Sequence, residues 1–146
     1  MILKNVLHVG GGLILVLALA ACGGGAPIGT VEFGELIVSG EVDGDYLWRQ
    51  LGQLNPPFQA CYMHAKRRDH STEGVIELKL EGRSSQLSGE IASNTTGSTE
   101  LGECMRNAIS GLRINEPEDV APWDYTADWS VTFEIARSDR DTNRPR

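Results

Sequence analysis

Histidine, cysteine, methionine and each of the three aromatic residue types occur only three times apiece in the 146 residues. Little metal-ligating or nucleophilic material is therefore on offer. No Walker phosphate loop, zinc-finger spacing, His-Glu-x-x-His or Gly-x-Ser-x-Gly occurs, and no internal repeat. These absences remove the common nucleotide-binding, zinc-protease and serine-hydrolase readings. The apolar run from Leu13 to Ala20 is too short for a spanning helix, which needs about 20 apolar residues. Basic residues are also scarce: 13 Lys and Arg stand against 20 Asp and Glu, a formal net charge of −7. An acidic chain argues against binding nucleic acid and against electrostatic adhesion to anionic lipid.

What is present begins with the N-terminus. Lys4 precedes a short apolar run from Leu13 to Ala20, with small residues at Ala20 and Ala21. This is the layout of a secretory signal peptide over residues 1–21. The segment Leu19-Ala20-Ala21-Cys22 resembles the lipobox of bacterial lipoproteins, in which the cysteine is acylated and the leader removed before it. The alternative is ordinary secretion with a free Cys22. Several acyl chains anchor a protein stably where one does not, so the resemblance implies attachment to a membrane without spanning it. Gly23, with no aspartate after the cysteine, favours the outer membrane, facing the periplasm. Residues 22–30 then form the acylated cysteine and a short tether, Gly23 to Thr30, reaching on the order of 15 Å by coil statistics. At the other end, residues 137–146 are polar and charged and read as a disordered tail.

Residues 31–136 carry the periodicity of one small domain. Val31 to Val42 is β-prone, with Leu36, Val38 and Val42 on one face. Asp43 or Asp45 can cap a helix over Tyr46 to Leu54. Asn55-Pro56 restarts helical structure, asparagine as N-cap and proline at the first position. There Phe58, Cys61, Tyr62 and Ala65 fall on one stripe. Ile76, Leu78 and Leu80 alternate in a strand, a turn follows at EGRSSQ, and Leu87 and Ile91 share a face of the return. Ser98 or Thr99 caps a helix whose stripe is Leu101, Cys104, Met105, Ala108, Ile109 and Leu112. Trp129, Val131, Phe133 and Ile135 alternate in a last strand. The expected fold is α+β in the order β-α-β-β-α-β, a small antiparallel sheet with two helices on one face.

Cys61 and Cys104 each lie in the stripe of a helix covering that face, so they can meet. In an oxidising compartment two such thiols are most simply a disulfide. With Cys22 lipidated, the odd count resolves into an anchor and one bridge. The alternative is zinc held by Cys61, His64, His70 and Cys104, although His64 falls off the stripe and His70 sits in the charged loop KRRDH. A catalytic thiol would want an exposed electropositive site, and an apolar stripe is the opposite.

Other candidates reduce to structural roles. Lys66, Arg67 and Arg68 suit a helix C-terminus, where cations favour the dipole. Trp48 and Trp129 read as core and Trp123 as an exposed loop residue. Glu116, Glu118 and Asp119 could hold calcium but lack the spacing of an EF-hand. Asn94-Thr95-Thr96 matches a glycosylation acceptor.

Taken together, Cys61-Tyr62 closing a helical stripe, the Gly74-initiated strand, Gly82 at the turn and Ser98-Thr99 leading to Leu101-Gly102-Glu103-Cys104 resemble the TonB C-terminal-like domain of the AgmX/PglI group. The likeness covers about Ser39 to Ile135; Ile114-Asn115 stands where that group commonly has Phe-Pro. It implies a role in protein contacts across the envelope, with a partner protein or peptide added at an exposed sheet edge. The candidate edges are the first strand, with Leu36 and Val38, and the last, with Val131 and Phe133, whichever lies outermost. The expected function is a membrane-anchored interaction module without cofactor or catalytic residues. A small envelope hydrolase and a self-assembling structural subunit are the alternatives.

Overall fold

The computed structural model describes residues 29–115 and 124–136. In chain order they form β1 (Gly29–Gly40), α1 (Gly44–Leu51), α2 (Asn55–Arg68), β2 (Gly74–Arg83), β3 (Gln86–Asn94), α3 (Thr99–Gly111) and β4 (Asp124–Ile135). The expected β-α-β-β-α-β order is present, its first helical segment divided by a 3₁₀ turn over Gly52–Leu54. The leader, Cys22, most of the tether, Glu116, Glu118, Asp119, Trp123 and the tail lie outside the described residues.

Local chemistry explains the helix boundaries. The Asp43 carboxylate accepts from Tyr46 N–H at 2.7 Å and caps α1. Ser98 Oγ accepts from Leu101 N–H at 3.2 Å and caps α3. Each cap satisfies a backbone donor that the helix cannot, worth about 1 kcal/mol. Asn55 does not cap α2 as the Asn-Pro pair suggested. The 3₁₀ turn delivers the chain already coiled, so Asn55 is itself helical at φ −58° and no side chain caps the start. Trp48 is likewise not core. Leu47, Leu51 and Leu54 take the buried side of that segment, which leaves Trp48 40% exposed.

The sheet runs β1-β4-β2-β3, every neighbouring pair antiparallel. One face is buried under α2 and α3: Phe58, Cys61, Tyr62 and Ala65 from α2 and Leu101, Met105 and Ile109 from α3 meet Ile76, Leu78, Leu80, Trp129, Val131 and Phe133. Strict alternation leaves Glu77, Lys79, Glu81, Thr126 and Asp128 on the open face. The first and last residues of the ladder are partners, Gly29 opposite Ile135.

This order corrects the expectation for the last strand. β4 lies between β1 and β2, so Val131 and Phe133 are fully buried and cannot form an edge. β4 also begins earlier than the Trp129 start read from the sequence, at Asp124, and its buried alternation takes in Tyr125 and Ala127 as well. β1 is the outermost strand on its side. Between Phe33 and Leu36 it carries a bulge, two residues opposite the single Ser130. Gly34 makes that possible, because a Cβ there would lie 2.2 Å from Ser130 Oγ.

Candidate functional site

The bulge decides which side chains β1 offers. Val31 and Phe33 turn toward the helices, and the extra residue shifts the parity so that Leu36 and Val38 turn the same way. All four are half-buried against the core. Leu36 and Val38 therefore hold the strand in place, and their side chains are turned to the core and not to the strand's outer side. Ile37 points to the open face and is 56% exposed.

Two large hydrophobic side chains are substantially exposed among the described residues, Ile37 and Trp48, and both flank this strand. The Trp48 ring meets Phe33 edge to face at 6.3 Å, and Phe33 in turn packs on Trp129 at 4.8 Å and Phe58 at 6.0 Å. An aromatic row thus runs from the core out to the strand beside the edge. The phase of the Leu47/Leu51/Leu54 stripe, which excludes Trp48, was the available signal for it. The slip from odd to even apolar positions in VEFGELIV was the signal for the bulge and for Ile37.

No described element pairs with the outer side of β1. The opposite edge is less open. Arg113 bridges to Gln86 at the start of β3, and Ile114 N–H donates to Ser85 O at 3.0 Å. A twelve-residue strand with one unpaired side is the kind of edge that proteins cover, twist away or use.

The cysteine pair lies between the two helices. Cys61 and Cys104 are joined by a disulfide, S–S 2.00 Å, that ties α2 to α3. Both sulfurs are consumed, so neither is free as the thiolate that a zinc ligand set requires. His64 Nε2 lies 3.2 Å from the Glu100 carboxylate, which Arg68 also reaches at 3.2 Å. The basic run is not uniformly solvated: Lys66 is buried, its Nζ 5.6 Å above the Tyr62 ring. Asp69 is held below the usual carboxylate range by hydrogen bonds from the Ser71 hydroxyl and N–H. Asn94 closes a turn, its Oδ1 accepting from Thr96 and its Nδ2 donating to Ser98 O.

Two buried tyrosines are perturbed. Tyr62 donates to Thr72 O, and burial, with Glu73 and Glu134 adding to it, pushes its pKa up. Tyr125 is pushed up to about 12 by burial. Among the described residues its hydroxyl has no hydrogen-bond partner, nor does Trp129 Nε1. A depression of about 610 Å³ is lined by Thr30, Glu73, Val75, Thr132 and Glu134 at the end of the sheet. It gathers two carboxylates and two threonine hydroxyls, with no histidine, cysteine or lysine in its wall.

No family model, curated protein or solved structure matches the chain.

Proposed function

We propose that the chain is a lipid-anchored envelope protein whose domain, akin to TonB C-terminal domains, captures an extended segment of a partner protein along the outer side of β1. The observation that carries this reading is the coincidence at one strand of an unpaired backbone edge and both large exposed hydrophobic side chains, Ile37 and Trp48. An added strand would take its affinity from main-chain hydrogen bonds and its specificity from side chains meeting those flanks. Cys22 would supply the anchor, which places the domain close to the membrane surface through its short tether.

Proline removes a donor from the backbone, and alternate residues of an edge strand direct their N–H outward. A proline scan over residues 35–39 should therefore separate into two classes. Substitutions at inward-bonded positions break the β1–β4 ladder and lower the melting temperature. Substitutions at outward positions leave folding intact but remove partner capture in crosslinking of intact envelopes. A folded outward-position variant that keeps every crosslink of the unaltered chain overturns the reading.

The anchor is tested separately. Metabolic labelling with a fatty-acid probe should mark the unaltered chain and not Cys22→Ser, which should be released in soluble form. A mature chain that is unlabelled and begins with a free Cys22 thiol would remove the anchor from the proposal and leave the edge untouched.

A further inference from the structure

On the open face of β1 and β4 the charge has one sign. β1 and β4 together contain no lysine or arginine. On their open face Glu32, Glu35, Asp128 and Glu134 are all exposed. Glu35, Ile37 and Asp128 line a common shallow depression, with Asp128 directly opposite Ile37 in register. The one base in that depression is Lys79 on β2, two strands in from the edge. None of the four carboxylates makes an ion pair among the described residues.

Resting on the strand-capture reading above, we infer that the β1 edge selects an extended partner segment in which basic and apolar residues alternate. Its lysines or arginines lie over the open face beside Glu32, Glu35 and Asp128. Their aliphatic stems cover Ile37 while the charged heads reach the carboxylates. The apolar residues between them point to the helix side, where Phe33 and Trp48 supply an aromatic flank.

Two physical arguments favour this occupant over a second copy of the chain. Opposite charges across neighbouring strands are favourable and like charges directly opposite are not. Antiparallel pairing of β1 with another β1 brings only further acids, Glu32 and Glu35 of the copy, to the edge, with no base in either strand. Acidic residues on an edge are also a recognised protection against self-pairing.

The test uses the full chain purified in detergent and three labelled eight-residue peptides followed by fluorescence anisotropy. One alternates lysine with valine and phenylalanine, one replaces each lysine by glutamate, and one has the lysine peptide's composition in two blocks. At low salt the alternating lysine peptide should bind at least about tenfold more tightly than either control, a gap that narrows as salt screens the charges. Glu32→Lys with Glu35→Lys should reverse the preference toward the glutamate peptide. Glu90→Lys with Glu103→Lys changes net charge equally at positions off β1 and β4, and should leave the preference in place. The inference is overturned if both charge swaps act alike, since general attraction to an acidic protein would then explain the binding. It is overturned too if lysine and glutamate peptides bind equally. Equal binding abolished by an outward β1 proline would discard the charge rule while keeping strand capture. Peptide binding that appears only after deletion of residues 137–146, or a peptide-free dimer lost on β1 substitution, assigns the edge to another occupant and ends this one.

Discussion

Reducing the Cys61–Cys104 bridge is expected to lower the stability of the domain by about 3–4 kcal/mol, the chain-entropy value for closing a loop of this size. The bridge spans 43 residues and joins the two helices that cover the buried face of the sheet. Its removal frees the unfolded chain far more than it alters the folded one. The neighbouring contacts between α2 and α3 do not offset the loss. His64 and Arg68 reach Glu100 from half or more exposed positions, and such surface pairs are worth at most about 1 kcal/mol. A small domain has about 5–15 kcal/mol in total, so the melting temperature should fall by roughly 15 °C or more. Denaturant melts with and without reductant, and a Cys61→Ala/Cys104→Ala chain, measure this. Melts that coincide, or two titratable thiols in the native protein, contradict it.

Alkaline pH should destabilise the domain through its buried tyrosines. In the folded state burial pushes the Tyr125 pKa up to about 12, against an ordinary value of 10.0. The cause is visible in its surroundings: the ring lies over Gly82, where an added Cβ would collide with it, and the buried hydroxyl has no partner among the described residues to stabilise a phenolate. A group whose folded pKa is raised contributes its stability in full below the unfolded value and loses it as pH climbs through the folded value. The window is therefore pH 10 to about 12, and the loss is on the order of 2 kcal/mol. Tyr62 shifts in the same direction and adds to the loss. Tyr125→Phe keeps the ring over Gly82 and the disulfide, so urea melts of this variant should fall less steeply across the window. Identical slopes for the two chains would show that Tyr125 does not titrate abnormally.

Much of this architecture was legible in the sequence because a sheet covered on one side writes its buried face as strict alternation. Ile76/Leu78/Leu80 and Trp129/Val131/Phe133 read correctly for that reason, and the two cysteines read as partners because both stripes face the same sheet. Strand order was not legible. A central strand and an edge strand carry the same alternation when one face is covered, and what separates them is hydrogen bonding to neighbours remote in sequence. That is why Val131 and Phe133 looked equivalent to Leu36 and Val38. Trp48 misled by its size, since hydrophobicity alone does not reveal that a helix has already filled its inner side with Leu47 and Leu51. Asn55 misled because a capping residue has nothing to do when the preceding turn is already helical. The candidate edge depends on a bulge, and its trace in the sequence is one missed beat between Phe33 and Leu36.

The pairing of Gly29 with Ile135 has a mechanical consequence. A load drawn apart between the two ends of this domain opens the β1–β4 ladder like a zip, one hydrogen bond at a time, and meets little resistance. A load entering through Gly29 and leaving through a strand seated along β1, pulled from the far end near Gly40, slides two strands past each other instead. All of their hydrogen bonds then share the force. The domain is compliant when stretched by its own termini, and it would be stiff if, as proposed, it held a strand along β1.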